Sequence, residues 1–321
     1  MSNLYRPEGS LISTAENREY ISSLQGLEKA MYEGRILEST VLFCDSNMRL
    51  HIDLGAVSGI MEREEAVFCR PCESVKDIAV ITRVGKPIAF KVIGFEKDSR
   101  GKTVALLSRR AAQEECNARF LSSLCAGDII EARVTHLESF GAFVDIGCGL
   151  SSLLTVDSIS VSRISHPRDR IAVGDKIYVV VKSRDEQNNR IYVSMRELLG
   201  TWEENASGFE VGQTVSGIVR SIENYGVFIE LAPNLAGLAE LREGMQTSDV
   251  APIGSPTAVY IKSILPDRMK IKLVLIDSCR SYSAENTKKL KYFIDCQKVR
   301  HISHWQYSPP RSRKVIESIF D

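Results

Sequence analysis

Residues 127–147 read GDIIEARVTHLESFGAFVDIG, and residues 212–232 read GQTVSGIVRSIENYGVFIELA. The two superpose without a gap at an offset of 85 residues. Gly127 falls on Gly212, Phe140 on Tyr225, Gly141 on Gly226, Phe143 on Phe228 and Asp145 on Glu230. What repeats is a strand, an aromatic-Gly-x-Phe turn and a second strand. Self-similarity of this kind marks an array of like modules, and it governs every other reading of the fold.

Outward from the repeat, residues 125–198 predict strands over 128–137, 141–146, 150–155, 176–183 and 190–195, with a polar loop between the third and fourth. Residues 209–277 follow the same order with a shorter loop around Pro252 and Pro256. Five short strands in some 70 residues, with one longer connection after the third, is the plan of a small Greek-key barrel. Closure removes the edges that so short a meander exposes. Residues 34–112 carry a weaker version, with strands read over 35–44, 48–55, 87–98 and 102–110. Ahead of them, Ser13 and Glu16 have the spacing of a capping box, and Ile21, Leu24 and Leu27 share a helical face up to Gly34. Residues 113–124 read as a linker helix and 278–321 as a basic, aromatic extension of mixed α and β character. The expected fold is mainly β: an N-terminal helical segment (1–33) and three tandem five-stranded barrels, the first degenerate, closed by that extension.

The run Phe-Gly-Ala-Phe-Val-Asp-Ile-Gly at 140–147, Val-Gly-Asp-Lys-Ile at 173–177, Asp185, and Arg-Ile-Tyr-Val-Ser-Met at 190–195 resembles the S-one RNA-binding domain. This is the OB-fold module repeated in the S-one protein family of the bacterial small ribosomal subunit. The resemblance is strong over 125–198, good over 209–277 and weakest over 34–110. It implies a non-catalytic, cytoplasmic protein that holds single-stranded RNA, mRNA in particular, at the small ribosomal subunit. A ribosome-bound regulatory or stress factor acting mainly through protein contacts is the other role the resemblance implies.

Within the second module the resemblance assigns Phe140 and Phe143 to a stacking platform, with Lys182, Asp185 and Arg190 beside it. Alternation alone would put the two rings on opposite faces of a strand. A kink at Gly141 would bring them to one side; a Phe143 buried as a barrel plug is the competing reading. In the third module the candidates are Tyr225, Phe228, Lys262, Lys270 and Lys272, the lysines serving either RNA or a merely solvated face. Glu240 stands where the family carries a histidine, and a carboxylate repels phosphate; the second module has Thr155 there. In the first module Met48 and His51 replace the rings, so the platform is read as lost and the barrel as a protein anchor.

Composition sets limits. Lys and Arg together number 41 against 41 Asp and Glu, so no global basic field advertises a polyanion partner and affinity must come from local patches. No stretch of about 18 apolar residues occurs, which speaks against a membrane span. The eight cysteines are scattered as in a reduced, intracellular chain, and the Cys69-Arg70-Pro71-Cys72 pair lacks a second pair for zinc. No nucleophile elbow, phosphate-binding glycine loop or zinc-protease motif is present, so neither cofactor, metal nor small-molecule substrate is expected. From Cys279 onward nine Lys and Arg face four Asp and Glu. The cations of Lys288-Lys289-Leu290-Lys291-Tyr292-Phe293 and of residues 300–307 interleave with rings, a pattern open to RNA binding or to a small packed hairpin.

Overall fold

The computed structural model describes residues 5–55, 57–69, 74–185, 190–241, 250–277 and 290–320. Three closed five-stranded barrels form among them. In the first, β1 (Leu37–Cys44), β2 (Leu50–Asp53), β3 (Ser58–Met61), β4 (Pro87–Lys97) and β5 (Thr103–Ser108) close in the order β1-β2-β3-β5-β4. In the second, β6 (Ile129–Glu138), β7 (Gly141–Asp145), β8 (Ser151–Thr155), β9 (Lys176–Asp185) and β10 (Arg190–Ser194) repeat that cyclic order. So do β11 (Thr214–Glu223), β12 (Gly226–Ala232), β13 (Leu235–Glu240), β14 (Pro256–Leu265) and β15 (Lys270–Asp277). In each barrel the third and fifth strands pair in parallel and close the sheet, the OB-type arrangement.

The chain forms two compact units, Met1–Leu124 with Glu131–Arg133 and Val144–Ser152, and Cys125–Ile130 with Val134–Phe143 and Leu153–Asp321. In the first unit two helices, α1 (Ala15–Ile21) and α2 (Leu24–Glu33), stand where one was expected. Thr14, not Ser13, caps α1 by accepting from Asn17, while Glu16 pairs with Arg35 instead of closing a capping box. The break comes at Ser23, which turns extended and caps α2. Gly34 ends α2 at φ 65°, a left-handed conformation suited to glycine. The short strand β3 escaped the sequence reading because Ser-Gly-Ile-Met is brief and Gly-interrupted. Ser108 caps α3 (Arg109–Arg119) by accepting from Ala111, so the linker helix starts earlier than expected. α3 buries Arg109, whose guanidinium binds both oxygens of buried Glu8.

In the second unit the loop after β8 docks on the third barrel through charge. Arg170 and Arg220 both reach Glu230, and Arg220 also reaches Asp169 at 3.2 Å. Buried Asn234 accepts from Val161 N–H and donates to the carbonyls of Arg196 and Gly200. Residues 290–320 pack on both barrels. Trp305 and Tyr307, in and after β16 (His304–Gln306), join the core of the third barrel. Cys296 and Phe320 cluster with Ile129, Val180 and Leu198 of the second, and β17 (Glu317–Ile319) pairs with β16. The Tyr307 hydroxyl donates to Asn234 O, and Ile302 and Ile129 exchange backbone hydrogen bonds with Gly127 and Arg300. Of the two uses open to the tail's rings, the fold makes the packing one. Lys288, Lys289 and Cys72 lie outside the described residues.

Candidate nucleic-acid interface

Phe140 does not belong to a strand. It occupies the turn between β6 and β7, so strand alternation does not govern where its ring points. Its carbonyl accepts from Val156 N–H at 3.0 Å, which ties the turn to the segment after β8. Phe143 lies inside β7 between Ala142 and Val144, both fully buried, so by alternation its own side chain faces out of the barrel. The rings meet edge to face, centroids 6.1 Å apart and planes at 89°, with Phe140 53% exposed and Phe143 half-buried. Phe143 is therefore not the plug of its barrel.

Gly141 earns its place through close approach, not through a bend. A Cβ there would stand 2.5 Å from Leu154 O and 3.0 Å from the Thr155 Cα. The turn thus sits flush on the end of β8, with both rings beside it. The third barrel repeats this: a Cβ on Gly226 would meet Ala239 O at 2.6 Å, and Tyr225 and Phe228 stand 6.2 Å apart at 89°. Tyr225 is 62% exposed. The second and third barrels present the same pair of rings in the same geometry.

The charged candidates divide. Lys182, exposed on β9, reaches Ser158 Oγ at 3.4 Å, and Ser158 in turn accepts from the Thr155 hydroxyl at 2.9 Å. Since Thr155 abuts Gly141, this chain of contacts sets Lys182 on the ring side of the barrel. Asp157, in α4 (Val156–Ile159), is held below the usual carboxylate range by the Thr155 hydroxyl, with Lys182 and Arg196 adding their charge. Asp185 and Arg190 face one another across the β9–β10 hairpin, next to residues that are not described. In the third barrel Lys262, Lys270 and Lys272 are all exposed. Lys270 and Lys272 share a face of β15, while Lys262 falls in a bulge of β14. Glu240 is less hostile to phosphate than its sequence suggests, because Lys272 Nζ lies 3.6 Å from it.

Sequence reasoning missed His136. Its ring stacks on Phe143 at 6.4 Å and 27°, and it hydrogen-bonds Glu138 at 2.7 Å. Its position seven residues before Phe143 on the preceding strand was the available signal. The tail contributes cations without rings. Arg300, Arg311, Arg313 and Lys314 are exposed, and none has a carboxylate partner among the described residues.

Part of the chain is similar to known proteins. Residues 124–196 match the model of the S1 RNA binding domain. The small ribosomal subunit protein bS1 of Staphylococcus epidermidis is 35% identical over 208 residues, covering 63% of this chain and 50% of that protein. Its counterpart in Staphylococcus haemolyticus is 36% identical over 174 residues, covering 53% and 43%. The chain thus spans about half the length of the curated relatives it matches. A solved multidomain protein with nucleic acid binding domains from Streptococcus pneumoniae overlays with a TM-score of 0.24 at 15% identity, covering 77% of this chain and 74% of that one. An overlay that loose adds nothing to the argument.

Proposed function

We propose that this chain, a relative of the bS1 proteins that carries an S1 RNA binding domain, is a non-catalytic binder of single-stranded RNA acting at the small ribosomal subunit, with mRNA as its natural ligand. The observation that carries the reading is the duplicated ring pair, Phe140 with Phe143 and Tyr225 with Phe228. Exposed rings offer a π-face that every base can use, at about 1–3 kcal/mol per stacked base and with little sequence preference. Lys182 on one barrel and Lys270 with Lys272 on the other supply phosphate contacts. Because both ring pairs belong to one compact unit, a strand held by the first pair reaches the second as an intramolecular partner, so two weak sites add through effective concentration.

The test is binding of uridine oligonucleotides of increasing length by the full chain, read by fluorescence anisotropy. Affinity rises once an oligonucleotide is long enough to span two barrels, and it falls as salt is added. Length-independent binding, or none, would set the reading aside. Co-sedimentation with small ribosomal subunits tests the ribosomal part separately.

A further inference from the structure

The first barrel, whose sequence has Met48 and His51 where rings are expected, carries a ring stack of its own. Phe43 on β1 and His51 on β2 face each other as cross-strand partners, with centroids 4.3 Å apart and planes within 10°. Phe43 is 51% exposed, so the outer face of the stack is open. His51 lies beneath it, and its Nε2 is 3.1 Å from Asp45 Oδ2, which also receives Arg49 Nε at 2.9 Å. The imidazole is therefore anchored from the side away from the strand, and the phenyl ring rests on a fixed support.

The second barrel shows the same construction with its residues exchanged. There His136 comes from the first strand and Phe143 from the second. His51 takes the sequence place of Phe143, each two residues before the aspartate of its strand. Phe43 takes the structural place of His136, the segment from Phe43 to His51 being one residue longer than that from His136 to Phe143. In the third barrel the position aligned with His136 is Ser221, which faces Phe228 across the strands and brings no ring. A histidine–phenylalanine stack is thus common to the first two barrels, while the turn aromatic belongs to the second and third.

We propose that Phe43, backed by His51, is a third stacking site for an unpaired base of single-stranded RNA, so that the first barrel binds nucleic acid as well. This rests on the single-strand reading of the other two barrels. The flatness of the stack decides for a base over an apolar peptide: two parallel rings give a planar face at van der Waals distance from a π-system. The charges around it balance locally, because Asp45 is matched by Arg49. The site therefore supplies stacking without phosphate contacts, which come from the other barrels.

The experiment uses the full chain and an oligouridylate of about 30 nucleotides, long enough for three barrels at roughly 4–16 nucleotides each. Phe43→Trp adds an exposed indole to a chain whose two tryptophans, Trp202 and Trp305, are buried. Its added emission is quenched in step with binding if the site takes a base. Phe43→Ala and Phe43→Leu both weaken the long oligonucleotide by about fivefold or more, as expected when one base no longer stacks, and leave one of about 10 nucleotides unaffected. Phe43→Leu keeps the apolar bulk, so its weakening separates stacking from packing, and melting curves confirm the fold of each variant. If the indole is silent and the Ala and Leu variants bind like the parent, the proposal is wrong. It is equally wrong if those variants keep RNA affinity but lose co-sedimentation with small subunits, which would make the patch a protein contact. Failure of the parent chain itself to bind the oligonucleotide would instead strike the reading of the second and third barrels.

Discussion

Asp145 and Glu230 stand at the same position of consecutive barrels, and each is a buried carboxylate engaged from outside its own five strands. Asp145 accepts from the Glu8 N–H at 2.7 Å, beside Arg109. Glu230 is gripped by Arg170 from the loop that precedes its barrel, and by Arg220 from within it. The repeat thus carries a joint as well as a strand pattern. Removing one partner of a buried pair leaves the other charge uncompensated, at a cost of about 3–5 kcal/mol. Glu230→Ala should therefore destabilise the second unit by that order, whereas exposed Glu240→Ala should cost under about 1 kcal/mol. Tryptophan fluorescence during denaturation reads this directly, since Trp202 and Trp305 both sit in the third barrel's core.

Lowering the pH from about 7 to about 4 should stabilise the first unit. Burial pushes the Glu38 carboxyl up to about 7, although it accepts from the N–H groups of Gly9, Leu11 and Ile12. Burial, with Glu8 close by, pushes Asp145 up as well. An acid whose native pKa is raised contributes stability that is complete below its unfolded value, about 4, and lost as pH rises through the folded value. Stability should decline between about pH 4 and 7. Glu38→Gln keeps an acceptor for the three N–H groups and cannot ionise, so it should flatten that decline. Hydrogen exchange across residues 11–44 as a function of pH is the measurement; an unchanged profile in the variant would refute the assignment.

Phe140→Ala with Phe143→Ala should weaken RNA binding by about 1–3 kcal/mol for each base that no longer stacks, with the melting temperature little changed because neither ring fills the core. Gly141→Ala should act differently. Its Cβ would collide with Leu154 O, so the turn must shift, and both stability and affinity should drop together. Titration calorimetry paired with thermal melts distinguishes the two patterns.

The tail should show itself in the salt dependence. Arg311→Ala, Arg313→Ala and Lys314→Ala combined should lower the slope of log K against log salt by about 0.7 for each phosphate that is no longer neutralised. The ring variants should leave that slope alone. Equal slopes in parent and triple variant would show that these cations face solvent only.

Much of this architecture was legible because strand alternation and glycine turns are local signals. Residues 127–147 and 212–232 announced two barrels, and the strands of the second were placed within a residue or two at most ends. The ring pair was legible as a pair, but its cause was not. The neighbour that demands Gly141 is Leu154 O across the sheet, and no window of sequence contains both. His136 and Phe43 were missed for a related reason. A cross-strand stack depends on register, and the β1–β2 hairpin is one residue longer than its counterpart in the third barrel. The Phe43–His51 stack escaped notice because rings were sought at the second barrel's positions. Buried Arg170 read as one more residue of a polar loop, since the Glu230 it serves lies in another barrel.

Phe320 covers Val180 and Leu198, residues made long before it during synthesis. The apolar cluster of the second barrel is therefore completed by a segment far away in sequence, and a variant truncated before Phe320 would leave Val180 and Leu198 facing water.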